Sequence, residues 1–337
     1  MSVTAVRLGG RPDLPLLVLG PSLGTSATAL WSRAAALLAE DFQVVGFDLP
    51  GHGHDRSAPA SLTMAELAAA VLEAVDRLTD SLTPVPFHYA GDSVGGAVGL
   101  QLLLDAPARV LSATLLCTGA RIGTEEAWRD RMATVRESGT PAMVAGSAQR
   151  WFAPGFSARE PEASGALLES LAAAVDGGYV AVCEALATFD VRDRLGEVVA
   201  PVLAVAGAED PVTTPATLAE IADGVPGGRL EVLDGVGHLA PVEAPEVVAR
   251  LVRTHALGEP VADVGSCLDG RSLSLVALAA LVGSGRVEGL AEQVRAARTH
   301  GLGGEEIEEC LHRAATSGGI ADADDALRIA RQVLAEG

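Results

Sequence analysis

The sequence predicts an α/β protein: a mostly parallel sheet with a helical lid, followed by a small all-α domain. Three observations predict it. From Leu14 to Ala256, short apolar runs alternate with helix-like segments, the pattern of a parallel sheet covered on both faces. Between about residues 120 and 195 the strand signals stop, and Trp128, Arg129, Arg131, Arg136, Trp151 and Phe152 fall on helix-like segments. Beyond His255 the composition shifts again, and only helical segments with Gly-rich punctuation follow. The expected domains are 1–256, with its lid at about 120–195, a linker at 257–267, and an all-α domain at 268–337.

In chain order, the expected strands are Leu16–Leu19, Gln43–Asp48, Pro86–Ala90, Ser112–Cys117, Val202–Ala206 and Leu230–Leu233, each a short run bounded by turn signals. Helices are expected at Ala27–Ala39, Met64–Asp80, Ala97–Asp105 and Glu246–His255. A helical insertion between two strands would lie over the strand ends, where ligands bind in open α/β folds. In the tail, helices are expected at Ser272–Leu281, Val287–Arg298, Glu305–Ala315 and Ala323–Ala335. There His300-Gly301-Leu302 reads as one helix end, and Glu305-Glu306 as the acidic start of the next.

Composition narrows the partners. The chain holds 24 basic and 44 acidic residues, a net charge of −20, which argues against nucleic acid and anionic membranes. All the basic residues are arginine; lysine and asparagine are absent, a bias that suggests a GC-rich coding sequence. The four cysteines, Cys117, Cys183, Cys267 and Cys310, form no CxxC pair, so neither a disulfide framework nor a zinc site is expected. A reducing cytoplasm is the expected setting. The run Leu14 to Leu19 is too short for export or membrane insertion, and no cofactor is called for.

The strongest chemical signal is Gly91-Asp92-Ser93-Val94-Gly95. A strand-like run precedes it and a helix-like run of small and apolar residues follows. Strand, sharp Gly-x-Ser-x-Gly turn and helix resemble the nucleophile elbow of the α/β-hydrolases. A serine nucleophile needs a base and a carboxylate that orients the base, in the chain order Ser, Asp or Glu, His. Asp210 ends the strand at 202–206 in Gly207-Ala208-Glu209-Asp210-Pro211, with Glu209 as its neighbouring competitor. His238 follows the strand at 230–233 in a Gly-rich loop. His52 and His54 lie too early for this order, His255 ends a helix, and His300 and His312 lie in the tail. The oxyanion donors expected are the N–H groups of Val94 and of Leu23, in the loop Gly20-Pro21-Ser22-Leu23-Gly24-Thr25.

Residues 1–255 resemble the 3-oxoadipate enol-lactonases of the protocatechuate branch. The likeness is carried by Ser22-Leu23-Gly24-Thr25, Asp48-Leu49-Pro50-Gly51-His52-Gly53, the Ser93 elbow, Leu115-Leu116-Cys117-Thr118, Trp128-Arg129-Asp130-Arg131, Arg150-Trp151-Phe152 and Gly237-His238-Leu239. The chain departs from that family at Pro21. The resemblance implies a small anionic lactone as substrate, opened through an acyl-enzyme. Its carboxylate would need an arginine: Arg131 first and Arg129 second, with Trp128 and Trp151 as apolar walls. The competing expectation is that these arginines pair with Glu125, Glu126 or Asp130.

The tail resembles the all-helical, oligomeric carboxymuconolactone decarboxylases. Leu268-Asp269-Gly270-Arg271-Ser272-Leu273, Val294-Arg295-Ala296-Ala297 and His300-Gly301-Leu302-Gly303-Gly304-Glu305-Glu306-Ile307 carry that likeness. It is shortened, it has Gln293 where the family's histidine is expected, and Thr316-Ser317-Gly318-Gly319-Ile320 replaces a Tyr-Cys-Gly-Val-Pro-like segment. The expectation is a structural or homo-oligomerising tail without decarboxylase activity, with a bifunctional enzyme as the alternative. For the first domain the rivals are an esterase, a carbon–carbon bond hydrolase, a perhydrolase and a non-catalytic assembly protein.

Overall fold

Seven strands form one sheet in the order β1-β3-β2-β4-β5-β6-β7. They are β1 (Thr4–Gly9), β2 (Leu16–Gly20), β3 (Gln43–Asp48), β4 (Phe87–Asp92), β5 (Val110–Leu116), β6 (Val202–Gly207) and β7 (Arg229–Leu233). The computed structural model describes residues 3–79, 84–258, 270–283, 290–318 and 323–335. Residues of β2, β3 and β6 are buried throughout, which explains their unbroken apolar runs: parallel strands covered on both faces have no polar side to alternate with. All neighbouring pairs from β3 to β7 are parallel. Strands β2 to β7 therefore point the same way, so their C-terminal ends gather at one edge.

No strand is expected before Leu16, yet β1 pairs antiparallel with β3. It is the edge strand, mostly half-buried, so its residues lack the apolar run that marks a buried strand. At the opposite edge, β7 is largely exposed despite Leu230 and Val232. Helices α1 (Ala27–Leu38), α2 (Met64–Thr79) and α3 (Val94–Asp105) follow β2, β3 and β4 in turn. The expected start of α3 at Ala97 falls a turn late, because the helix begins immediately after Ser93.

The lid comprises α4 (Glu125–Ser138), α5 (Val144–Trp151), α6 (Phe156–Arg159), α7 (Pro161–Ala172) and α8 (Asp176–Thr188). α4 starts where the Thr124 hydroxyl accepts from the Ala127 N–H, with Glu125 and Glu126 against the positive end of the helix. It stops at Gly139, whose φ of 73° suits only glycine well. After the lid come α9 (Pro215–Gly224), the single turn α10 (Ala240–Glu243) and α11 (Pro245–Leu257).

The Asp-Leu-Pro-Gly-His-Gly segment anchors the lid to the sheet. Asp48 accepts from the N–H groups of Ala27 and His54, tying β3 to α1. Gly51 meets α8 so closely that a Cβ would lie 2.8 Å from the Gly178 Cα. His52 is fully buried, donates from Nδ1 to the Pro50 carbonyl at 2.8 Å and stacks on Tyr179. Burial pulls its pKa down from 6.5 to about 4, so the folded protein holds it neutral. Between those two values the unfolded chain binds a proton that the folded chain rejects, so stability falls as pH drops from 6.5 to 4. The loss amounts to about 3 kcal/mol. Urea unfolding at pH 7 and pH 4.5 should show a smaller drop for His52→Gln than for the wild type; equal drops would remove His52 as a source.

The chain divides into two compact units, Met1–Pro260 and Val261–Gly337. The second contains α12 (Gly270–Gly283), α13 (Leu290–Thr299), α14 (Gly304–Gly318) and α15 (Ala323–Ala335) around Leu278, Val294, Leu302, Ile307 and Ala330. Gly301, at φ 83°, ends the link from α13, and Glu306 accepts from the Gly303 N–H to start α14. The expected linker beyond residue 258, the start of the helix expected at Val287, Asp80, Cys267, Leu268, Asp269, Gly319 and Ile320 lie outside the described residues. Among the described residues no single helix is long and apolar enough to cross a membrane.

Candidate active site

Ser93 sits between β4 and α3 with φ 55° and ψ −117°, a conformation that costs a non-glycine residue free energy and is held by its surroundings. Its N–H donates to the Leu116 carbonyl, and its own carbonyl accepts from the Thr118 hydroxyl at 2.6 Å. The glycines allow the close approach this turn needs. A Cβ on Gly95 would lie 2.5 Å from the Gly20 carbonyl carbon, and one on Gly91 would lie 2.4 Å from the Gly95 carbonyl oxygen. The Tyr89 hydroxyl donates to that same oxygen, fixing the turn from below.

His238 Nε2 lies 2.9 Å from Ser93 Oγ, and His238 Nδ1 lies 2.8 Å from Asp210 Oδ2. All three side chains are nearly inaccessible to solvent. Asp210 accepts further bonds from the Thr213 hydroxyl and from the N–H groups of Val212 and Thr213. Burial works against its charge, but His238, Thr213 and Val212 outweigh burial and hold Asp210 below the usual carboxylate range. Glu209, the competing carboxylate, is exposed. Asp92 is fully buried and neither carboxylate oxygen has a hydrogen-bond partner among the described residues; burial and the nearby Asp210 and Glu243 carboxylates push its pKa far up.

Ser93 and His238 line a cavity of about 130 Å³ with Ser22, Leu23, Ile122, Trp128, Arg131, Arg150, Trp151, Leu186 and Val212. Leu23, expected as an oxyanion donor, lines this same cavity. Val94 opens α3, where backbone N–H groups have no acceptor within the helix. The cavity places Ser93 beside two tryptophans and two arginines, room for an acyl group on Ser93 Oγ.

Arg131 and Trp128 stand three residues apart on one face of α4, and the guanidinium lies 5.0 Å from the Trp128 ring centre. Arg129 does not join them. It is turned away on the same helix and pairs with Glu125 at the surface, which corrects its expected part in substrate binding. Arg150, on α5 one residue before Trp151, lines the cavity beside Arg131. Among the described residues neither Arg131 nor Arg150 makes an ion pair; Arg131 reaches only the Tyr179 hydroxyl, at 3.5 Å. Partial burial and the neighbouring Arg131 charge both pull the Arg150 pKa down. Two guanidiniums without carboxylate partners give this cavity a local positive charge in a chain of net charge −20.

The family described as alpha/beta hydrolase fold matches residues 15–245, the span that holds the sheet from β2 to β7, the lid and Ser93, Asp210 and His238. The chain belongs to this family. This α/β hydrolase is 34% identical to a 3-oxoadipate enol-lactonase of Acinetobacter baylyi over 72% of its own length and 89% of the relative's. It is 30% identical to a pimeloyl-[acyl-carrier protein] methyl ester esterase of Methylococcus capsulatus, over 66% and 87% of the two chains. The enol-lactonase structure from Burkholderia xenovorans superposes with a TM-score of 0.71 at 30% identity, covering 76% of this chain and 96% of the other. The carboxymuconolactone decarboxylase family matches residues 253–332, so the α/β hydrolase is fused to a module of that second family.

Proposed function

We propose that this α/β hydrolase opens 3-oxoadipate enol-lactone to 3-oxoadipate through an acyl-enzyme on Ser93. One observation carries the substrate choice: the cavity that holds Ser93 also holds Arg131 and Arg150 without carboxylate partners, beside Trp128 and Trp151. A neutral ester has no use for two guanidiniums, whereas a carboxylate accepts from them in a fork. The enol-lactonase relatives, similar over nearly their whole length, support the same class.

Ser93 Oγ attacks the lactone carbonyl as His238 Nε2 takes its proton, and Asp210 holds the imidazole by Nδ1. The Leu23 and Val94 N–H groups stabilise the oxyanion by about 3 kcal/mol each. Collapse of the tetrahedral intermediate breaks the ring C–O bond, and His238 returns the proton to the enolate, which ketonises. Ketonisation makes ring opening effectively irreversible. Water activated by His238 then attacks the acyl-enzyme and releases the dicarboxylate.

For the C-terminal unit we propose a structural role. Gln293 on α13, in place of the family's histidine, cannot serve as that acid or base. Incubation with 3-oxoadipate enol-lactone and, separately, with 4-carboxymuconolactone tests both parts. Enol-lactone hydrolysis without CO₂ release from carboxymuconolactone is expected. Inertness toward the enol-lactone would overturn the substrate assignment, and CO₂ release would overturn the structural role.

A further inference from the structure

The loop that carries His238 is held to the lid by a residue outside the Ser93–His238–Asp210 relay. Glu243, half-buried on α10, accepts from the Gly237 N–H through Oε1 at 3.0 Å and from the Ala153 N–H through Oε2 at 2.9 Å. Gly237 immediately precedes His238, and Ala153 follows Trp151 by two residues. Alongside, the His238 N–H donates to the Trp151 carbonyl at 2.9 Å. The two backbones touch so closely that a Cβ on Gly237 would lie 2.7 Å from the Ala153 nitrogen and 2.8 Å from Glu243 Oε1.

We propose that Glu243 is a positioning residue: its carboxylate clamps the lid segment bearing Trp151 to the loop bearing His238, so that substrate wall and base keep one geometry. The proposal rests on His238 acting as the base for Ser93. It assigns Glu243 no contact with substrate. Both carboxylate oxygens are needed, because each meets a different N–H. Glutamine offers one acceptor, and its amide nitrogen would face the other N–H donor to donor. The bulk stays and half of the clamp goes. A base displaced by a fraction of an ångström from Ser93 Oγ slows proton transfer in every substrate, whatever the acyl group.

The test compares wild type with Glu243→Gln in the full-length protein, with Gly237→Ala as a second variant that wedges the same contact from the loop side. Active sites are counted by fluorophosphonate titration, and the rate of Ser93 labelling is measured per site. Glu243→Gln should slow labelling and lower kcat about tenfold or more, on the enol-lactone and on p-nitrophenyl acetate alike, with the site count unchanged. The downfield proton resonance of the His238 Nδ1–H should shift or broaden in parallel. A residue of purely structural importance would lower the site count or Tm and leave the rate per site intact; that result overturns the clamp. Wild-type protein whose Ser93 is not labelled would overturn the catalytic reading beneath it and the clamp with it. Labelled wild type with an unchanged Glu243→Gln overturns the clamp alone.

Discussion

Ser93→Ala lowers kcat for the enol-lactone by roughly 10⁶-fold, the scale on which a serine hydrolase loses turnover without its nucleophile. His238→Ala should cost about as much, and the double variant little more, because the relay acts as a unit. The fold should survive the first change. Ser93 carries its strain in the backbone, and alanine keeps the bonds that its N–H and carbonyl make to Leu116 and Thr118. Steady-state kinetics beside a thermal melt checks both halves. Near-normal turnover of Ser93→Ala would remove the mechanism, while loss of the fold would show that the hydroxyl itself supports the elbow.

Arg131→Ala raises KM for the carboxylated lactone by about 10- to 100-fold, the range of a charge-assisted hydrogen bond of 1.5–3 kcal/mol. Its KM for p-nitrophenyl acetate should not move. Arg150→Ala should act in the same direction. The pair should lose less than the sum, since each guanidinium also relieves the other's like-charge neighbour when removed. Equal losses on the charged and neutral substrates would mean that the arginines shape the lid and do not read charge. Replacing Arg129 should change neither constant, because its guanidinium is already engaged with Glu125 outside the cavity.

What could be read from the chain follows where local rules govern. Ser93, Asp210 and His238 were legible because each follows a strand, and a parallel sheet brings strand ends to one edge whatever the intervening length. Their meeting at 2.9 and 2.8 Å is what that rule delivers. The lid arginines obey no such rule. Arg129 and Arg131 differ by two positions on α4, and only the packing of that helix decides which one faces the cavity. Trp128 held the usable signal, since a residue three positions on shares its face. Arg150 lies beside Trp151 in sequence, but its nearness to Arg131 depends on tertiary packing that brings α5 and α4 to one cavity, which no periodicity states. Glu243 left no trace at all, because its partners are backbone N–H groups, one of them 90 residues earlier. The β1 strand carries no apolar signal for a related reason: an edge strand needs no buried run.

The central claim is covalent, and rapid quench tests it directly. Excess full-length protein is mixed with 3-oxoadipate enol-lactone, stopped in acid within milliseconds, digested and weighed peptide by peptide. Ring opening releases no separate leaving group, so the peptide containing Ser93 should gain the mass of the whole lactone and then lose it as 3-oxoadipate forms. Turnover of the lactone with the Ser93 peptide unmodified at every time point, under conditions that trap acyl-enzymes of known serine hydrolases, would contradict the account.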